Sequence, residues 1–311
     1  MKNYLKYIFL FSVIFPVASS ALCQTPDLKD ENKFMESIVV SREQSYITAL
    51  GGVGNIEPLI FEGAIIPFYM IHLDQTKWGI ELSPKIVIRM NKERSAPIRT
   101  PSYMPKVTFY YNTSNPRKKS ATAPLFVFLA WGHHSNGQSD SFYMPDSTSI
   151  NTKSGDFSTN MIEIGGLVNR SNIVHTYTPF FYKLSFEYHY KQSKELAGKY
   201  GNFRINSELN SILYSDKITG ASQFLKKQIH SVSTQVKIQW IFGNMIHTSA
   251  YDWKRLTTSL RISVHPAALD DFNFFVQYYN GQDYYNINFE KTLYVLRFGI
   301  TADLSTKIRR N

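Results

Sequence analysis

The segment HTYTPFFYKLSFEYHY, residues 175–190, alternates between two kinds of side chain. From Phe180 onwards its even positions are aromatic or aliphatic, whereas the odd positions from Lys183 to His189 are polar or charged. Because successive side chains of a β-strand point to opposite faces, this segment is predicted to be a strand with one apolar and one polar face. The same alternation recurs in segments 236–242, 259–264 and 292–304.

The composition restricts the class of protein that such strands can build. The 311 residues include 22 Phe and 20 Tyr, and after residue 23 no continuous apolar run reaches the roughly 18 residues of a membrane-spanning helix. Lipid offers the backbone no hydrogen-bond partner, so a sheet that crosses a membrane must close on itself. We therefore predict an all-β fold, an antiparallel transmembrane β-barrel of about 12 strands. A soluble β-sandwich, whose strands also alternate, is the alternative.

The N-terminal residues have the pattern of a secretory signal. Lys2 and Lys6 precede an apolar run that ends in small residues, and cleavage is expected near Cys23 and Gln24. A lipoprotein signal is the alternative because Cys23 is the only cysteine, although the residue before it is bulky for lipid attachment. The predicted organisation is a signal peptide over 1–23, a polar lead-in over 24–43 and the barrel domain over 44–311.

Twelve candidate strands follow from the alternation and from the turn-rich, hydrophilic segments between them. The predicted strands are 61–72, 76–91, 103–112, 123–135, 157–169, 175–190, 201–213, 227–242, 256–265, 272–280, 284–289 and 291–304. No internal repeat and no second domain is visible in the sequence.

The stretch WGHHSNGQSD, residues 131–140, comes directly after the apolar run APLFVFLA. His133 and Ser135 are two positions apart, so they share one strand face and lie about 6.6 Å apart along the strand. A serine hydroxyl is a poor nucleophile unless a base such as histidine takes its proton. Asn136 and Gly137 also form a common turn, so a polar loop entry without catalytic chemistry is the alternative.

The next predicted strand, FSTNMIEIGGLV at 157–168, brings an asparagine to the same level. Its even row is largely apolar and contains Asn160, whereas its odd row contains Glu163, so the even row is expected to face lipid. This strand runs back from the loop that strand 123–135 enters. We therefore expect Asn160 to meet His133 on the outside of the barrel at the edge of the bilayer, where an amide can orient the imidazole.

Two motifs resemble the outer-membrane phospholipase A family. HHSNG at 133–137 is similar to the family's H-x-S-N-G signature, and SAPIRTPSYMP at 95–105 is similar to its S-x-P-[FI]-R-x-x-x-Y-x-P segment. The resemblance is recognisable mainly over residues 95–165. It implies a twelve-stranded barrel that hydrolyses phospholipid acyl esters, as a phospholipase A1/A2, with a Ser-His-Asn triad.

By this resemblance, Ser135 is the nucleophile, His133 is the general base and Asn160 orients His133. The backbone amide of Gly137 and calcium-bound waters are expected to form the oxyanion hole. The loop between Ser135 and Asn160 is longer than the family's usual pattern, so Asn151 is an alternative orienting residue.

The resemblance also implies a Ca2+ cofactor. Carried over, the carbonyl of Gln138 and the side chain of Asp156 bind the ion, and the carbonyl of Ser95 from a second subunit completes the site. Gln138 stands where the family commonly has arginine, and Asp156 where serine is usual. Oxygen ligands suit this hard cation. The active form is therefore expected to be a homodimer.

The expected function is an outer-membrane phospholipase that acts on phospholipids and lysophospholipids. The formal net charge of +10 is scattered and no nucleic-acid recognition motif accompanies it, so nucleic acid is not an expected partner. Basic residues in outer loops are expected to meet anionic lipid head groups. Two alternatives are a non-enzymatic outer-membrane barrel, either a channel or a surface-binding protein, and a serine esterase that acts on lipopolysaccharide.

Overall fold

The computed structural model describes most of the chain from residue 38 onwards. The described residues are 38, 41–72, 76–94, 98–113, 125–169, 180–215, 222–269 and 271–302. The predicted signal peptide, residues 1–23, and most of the predicted lead-in, 24–43, lie outside these ranges, as does Ser95.

Strands make up most of the described structure. They are β1 Ser45–Thr48, β2 Leu59–Ile65, β3 Tyr69–His72, β4 Trp78–Ser83, β5 Ile86–Asn91, β6 Ser102–Tyr103, β7 Lys106–Asn112, β8 Leu125–Ser135, β9 Ser158–Asn169, β10 Phe180–Tyr190, β11 Phe203–Tyr214, β12 Ile229–Phe242, β13 Leu256–Pro266, β14 Phe272–Gln282 and β15 Thr292–Ala302. The helices are α1, Gln223–Gln228, and three 3-10 turns at Lys194–Leu196, Trp253–Arg255 and Asn286–Glu290. No helix in the described ranges is long and apolar enough to cross a membrane.

The strands form a closed antiparallel barrel. Three strands of the barrel are interrupted, and each is described in two parts: β2 with β3, β4 with β5, and β6 with β7. The fifteen described strands therefore make a barrel of twelve strands. The ring closes because β1 pairs with both β2 and β15, and β8 pairs with β9 on one edge and with β6 and β7 on the other. The prediction of an all-β, twelve-stranded antiparallel barrel is confirmed.

One predicted strand is wrong. Residues 284–289 belong to the connection between β14 and β15, in which the four consecutive residues from Asn286 to Phe289 are all buried. The apolar residues in this segment alternate as they do in a strand, but the side chains at odd and at even positions are both buried. The twelfth strand of the barrel is instead β1, Ser45–Thr48, which was not predicted because four residues are too few to show an alternating pattern.

The barrel is apolar outside and polar inside. The outward-facing side chains of Ile164, Phe186 and Val276 are half exposed or more, whereas the inward-facing Glu163 and Arg297 are buried. A soluble sandwich buries its apolar rows between two sheets, and this barrel exposes them instead. The arrangement is the one that a β-barrel surrounded by lipid requires.

Ion pairs occupy the interior. Arg89 donates a hydrogen bond to the fully buried carboxylate of Glu62 at 2.7 Å. Glu43, which precedes β1, lies between Lys85 at 2.7 Å and Lys237 at 3.2 Å, so the chain enters the lumen before it joins the wall. A cavity of about 420 Å³, lined by charged side chains such as Glu43 and Lys237 as well as apolar ones, remains inside the barrel.

Candidate active site

The end of β8 and the start of β9 bring the predicted base and orienting residue together. His133 and Asn160 are direct partners in the antiparallel register, and both lie on the rows that face away from the lumen. His133 Nδ1 and Asn160 Oδ1 are 2.9 Å apart, a hydrogen-bonding distance. An amide oxygen can only accept, so Nδ1 carries a proton, and in the neutral imidazole Nε2 then has the lone pair.

Ser135 lies one step further along the same outward row. Its partners in the register are Ser158 on β9 and Tyr103 on β6. Between Ser135 and His133, both of them described, the structure shows no hydrogen bond. The two side chains nevertheless share a strand face and are neighbours on its outward row.

Asn136 organises the loop that follows. Its side chain donates to the carbonyl of Gly155 at 2.8 Å and to Asn286 Oδ1 at 2.7 Å. Its own Oδ1 accepts from the main-chain N–H groups of Gln138 and Phe157, both at 3.2 Å. Asn136 is buried, so all four hydrogen bonds are shielded from water.

Gly137 comes next and has φ of +66°, in the left-handed region that glycine adopts without steric cost. Its main-chain N–H is not used in any hydrogen bond among the described residues. The amide is therefore a donor without an acceptor among the described residues.

The predicted calcium ligands are only partly described. The main-chain N–H of Asp156 donates to the carbonyl of Asp140 at 3.0 Å, which joins the two ends of the loop, and its carboxylate has no partner among the described residues. The side chain of Gln138 is occupied by Thr100 Oγ1, while its carbonyl is the atom proposed as a ligand. Ser95 lies outside the described residues.

These donors suit calcium in type. An unpaired carboxylate and main-chain carbonyls are the hard oxygen ligands that Ca2+ prefers. No group of three His, Cys, Asp or Glu side chains close enough to share a metal occurs within the described ranges. A cation beside Asp156 therefore needs main-chain oxygens or water to complete its shell.

Asn151, the alternative orienting residue, makes no hydrogen bond to His133 in the described structure. Its Oδ1 accepts from the N–H groups of Lys153 and Ser154, and its Nδ2 donates to the carbonyl of Ser141 at 3.2 Å. In the same loop, hydrogen bonds from Ser149, and then from the main chain of Thr148, lower the pKa of the exposed Asp146 to about 2. Both residues stabilise turns of the loop.

Two residues of the site were not predicted from the sequence. Asn286, at φ of +60°, bonds to Asn136 and donates to the carbonyl of Thr100 at 2.9 Å, so it links three loops. Lys191, at φ of +48°, accepts a hydrogen bond from Asn160 Nδ2 through its carbonyl at 3.4 Å. Asparagine favours this backbone region, which is a signal at 286, whereas nothing in the sequence marks Lys191.

Comparison with known proteins identifies the fold. No family model and no curated protein matches the chain. Among solved structures, outer membrane phospholipase A from Escherichia coli is similar, with a TM-score of 0.55 and 13% identity over 88% of this chain and 99% of that one. An active-site mutant of the same protein, with alanine in place of an asparagine, gives a TM-score of 0.54 and 12% identity over 88% and 99%. The chain thus has a barrel fold similar to that of a bacterial outer-membrane phospholipase.

Proposed function

We propose that this protein is an outer-membrane phospholipase that hydrolyses acyl ester bonds of phospholipids and lysophospholipids. The observation that supports the proposal is the hydrogen bond between His133 and Asn160 on the outward face. His133 is two residues before Ser135, so the two are neighbours on that face. Polar side chains on a lipid-facing surface are unfavourable unless they have a role. The mutated active-site asparagine of the similar solved barrel is a further support for giving that role to Asn160.

The reaction follows from the protonation states. His133 Nε2 takes the proton of Ser135 as Oγ attacks the ester carbonyl carbon, and the N–H of Gly137 stabilises the resulting oxyanion. The carbon–oxygen bond to the glycerol side then breaks, and the leaving oxygen receives the proton from His133. Water, activated by the same imidazole, releases the fatty acid and regenerates Ser135. The neutral Asn160 stabilises the imidazolium less than a carboxylate, so the oxyanion contacts must supply more of the rate.

Calcium and a second copy complete the proposal. The carboxylate of Asp156 and the carbonyl of Gln138 from one copy, with the carbonyl of Ser95 from the other, would hold Ca2+. When bound there, the ion would supply positive charge that stabilises a developing oxyanion. A site shared between two copies makes activity depend on dimerisation, which keeps an isolated barrel inactive.

The outer surface suits a lipid substrate. Leu125, Val127 and Trp131 form an exposed apolar row that leads along β8 to His133 and Ser135. An acyl chain lying along this row would bring its ester to the polar end of the strand. The longest loop of the described barrel, 136–157, lies at that end, as expected for the extracellular side of an outer-membrane barrel.

The lumen argues against the alternative of an open channel. Glu43 bridges Lys85 and Lys237 across the interior, and Arg89 pairs with Glu62 nearby. Ions that pass through a pore need a continuous aqueous path, and these paired charges lie across the interior. A barrel that only binds a surface partner would not need the His133–Asn160 pair.

Fatty-acid release from phosphatidylcholine micelles tests the proposal. The refolded protein is assayed with calcium and with chelator, beside Ser135→Ala, Asn160→Ala and the matched control Ser158→Ala. Ser158 is the partner of Ser135 in the register and lies on the same outward face, so its hydroxyl controls for a general effect. Calcium-dependent release that only Ser135→Ala abolishes, and Asn160→Ala reduces, supports the assignment. Equal loss in Ser158→Ala, or no release by folded dimers, contradicts it.

A further inference from the structure

A short segment after β10 holds the start of β9 at two points. β10 ends at Tyr190, and Lys191 then adopts φ of +48°, which turns the chain back towards β9. Ser193 donates from its main-chain N–H to the carbonyl of Ser158 at 2.9 Å, and its hydroxyl accepts from the Ser158 N–H at 3.1 Å. We call residues 191–193 the β9 clamp.

The other point of the β9 clamp is the side chain of Asn160. The carbonyl of Lys191 can only accept a hydrogen bond, so the amide group that faces it at 3.4 Å must be Nδ2. Oδ1 is then directed to His133 Nδ1. If the amide flipped, its oxygen would face the Lys191 carbonyl and its NH2 group would face the imidazole.

The orientation of the amide determines the tautomer of the imidazole. With Oδ1 against Nδ1, the neutral imidazole of His133 carries its proton on Nδ1 and its lone pair on Nε2, the form that a base for Ser135 requires. With a flipped amide, Nδ1 would have to accept and Nε2 would hold the proton, which is the wrong form for a general base. A neutral asparagine has no charge to impose one tautomer, so its own orientation must be imposed by a neighbour.

We propose that Lys191 is a positioning residue, whose main-chain carbonyl sets the Asn160 amide and thereby the tautomer of His133. The proposal rests on the proposed function only for its effect on rate. The side chain of Lys191 is exposed, so the contribution comes from the backbone. The left-handed conformation is unusual for lysine and is the geometry that directs the carbonyl at β9.

Proline substitution separates the backbone from the side chain. Proline fixes φ near −65°, so Lys191→Pro cannot adopt the left-handed turn. Lys194→Pro is the matched control, because proline is accepted at the first residue of a 3-10 turn. The preceding residue, Ser193, has φ −49° and ψ 141°, the extended conformation that a residue before proline prefers. Lys191→Gly keeps the carbonyl and the left-handed conformation, so the hydrogen bond should persist in that variant.

The first readout is the nitrogen-15 spectrum of the imidazoles in the folded, histidine-labelled protein, with the His133 signal identified from a His133→Asn variant. Wild type, Lys191→Gly and Lys194→Pro are expected to show the Nδ1–H tautomer at His133, and Lys191→Pro a mixture or the Nε2–H form. Persistence of the Nδ1–H tautomer in folded Lys191→Pro would falsify the proposal. If that variant does not fold, Lys191→Val replaces it, because a β-branched side chain disfavours the left-handed conformation, and an unchanged tautomer there also overturns the proposal.

The second readout is the rate of ester hydrolysis. In Lys191→Pro, kcat is expected to fall about tenfold, the effect of one lost hydrogen bond, with KM unchanged. A fall in the Lys194→Pro control of the same size would show a general effect on the loop and would contradict the positioning role. If the wild type itself hydrolyses no ester, the proposed function fails, whereas the tautomer measurement still decides the role of Lys191.

Discussion

Replacement of Asn136 by alanine is expected to open the loop 136–157 and to remove activity with it. The side chain is 2% exposed, so water cannot replace its four hydrogen bonds. At about 1 kcal/mol net for each bond, the loss is about 4 kcal/mol. A factor of ten corresponds to about 1.4 kcal/mol, so the equilibrium for opening the loop rises up to about a thousandfold. Gly137 is the next residue, and its amide loses its position when the loop opens.

Asn151→Ala is the matched control for this substitution. Asn151 also makes four side-chain hydrogen bonds within the same loop, but it is partly exposed. Water replaces much of what the alanine variant loses, so the expected cost is about 1 kcal/mol in total, or roughly a fivefold increase in opening. The two variants share residue type and number of hydrogen bonds, and burial is the property that differs.

Limited trypsin digestion in detergent micelles measures the opening, because Lys153 lies in this loop and is exposed. At low protease concentration the cleavage rate follows the equilibrium population of the open loop. Asn136→Ala is expected to be cut far faster than Asn151→Ala, and to release fatty acid far more slowly than it. Equal cleavage rates in the two variants would refute the reasoning from burial.

Three further outcomes are expected. Glu62→Leu leaves the buried Arg297 without the carboxylate that lies 3.5 Å from it, and should lower the free energy of unfolding by about 3–5 kcal/mol. Urea titration in micelles measures this loss. The control Glu93→Leu, at an exposed ion pair, should lower the free energy of unfolding by under about 1 kcal/mol. Ile164 is 58% exposed on the lipid-facing side, so Ile164→Arg should lower the free energy of unfolding in lipid vesicles by about 2–4 kcal/mol. If Ile164→Arg destabilised the protein in vesicles less than an arginine placed in a loop does, that result would count against a membrane location. Asp156→Asn should weaken calcium binding at least about tenfold by calorimetry, since charge dominates the affinity of oxygen ligands, and unchanged binding would exclude this carboxylate as a ligand.

The apolar and polar faces of the strands, and the contact between His133 and Asn160, could be predicted because both depend on local periodicity. Once β8 and β9 alternate and are joined by one loop, their parity and direction place the two residues side by side on the outside. The calcium ligands and the dimer came from resemblance to a family and remain proposals. The connection 284–289 could not be predicted, since its apolar residues alternate like a strand while their partners are other loops.

The sequence by itself determined the class of fold, because two-residue periodicity is a property of each strand and needs no knowledge of its neighbours. Tertiary structure alone decided how the loops support the site. The hydrogen bond from Asn136 to Asn286 spans 150 residues, and the contact between Asn160 and Lys191 spans 31. The first contact forms when barrel closure brings distant loops to the same rim, whereas the second lies next to the β9–β10 pair Asn160–Tyr190 and depends on the left-handed backbone of Lys191, which composition and spacing do not reveal. The barrel could therefore be predicted from the chain, whereas the proposed tautomer of His133 depends on a carbonyl whose direction is set by one backbone angle at Lys191.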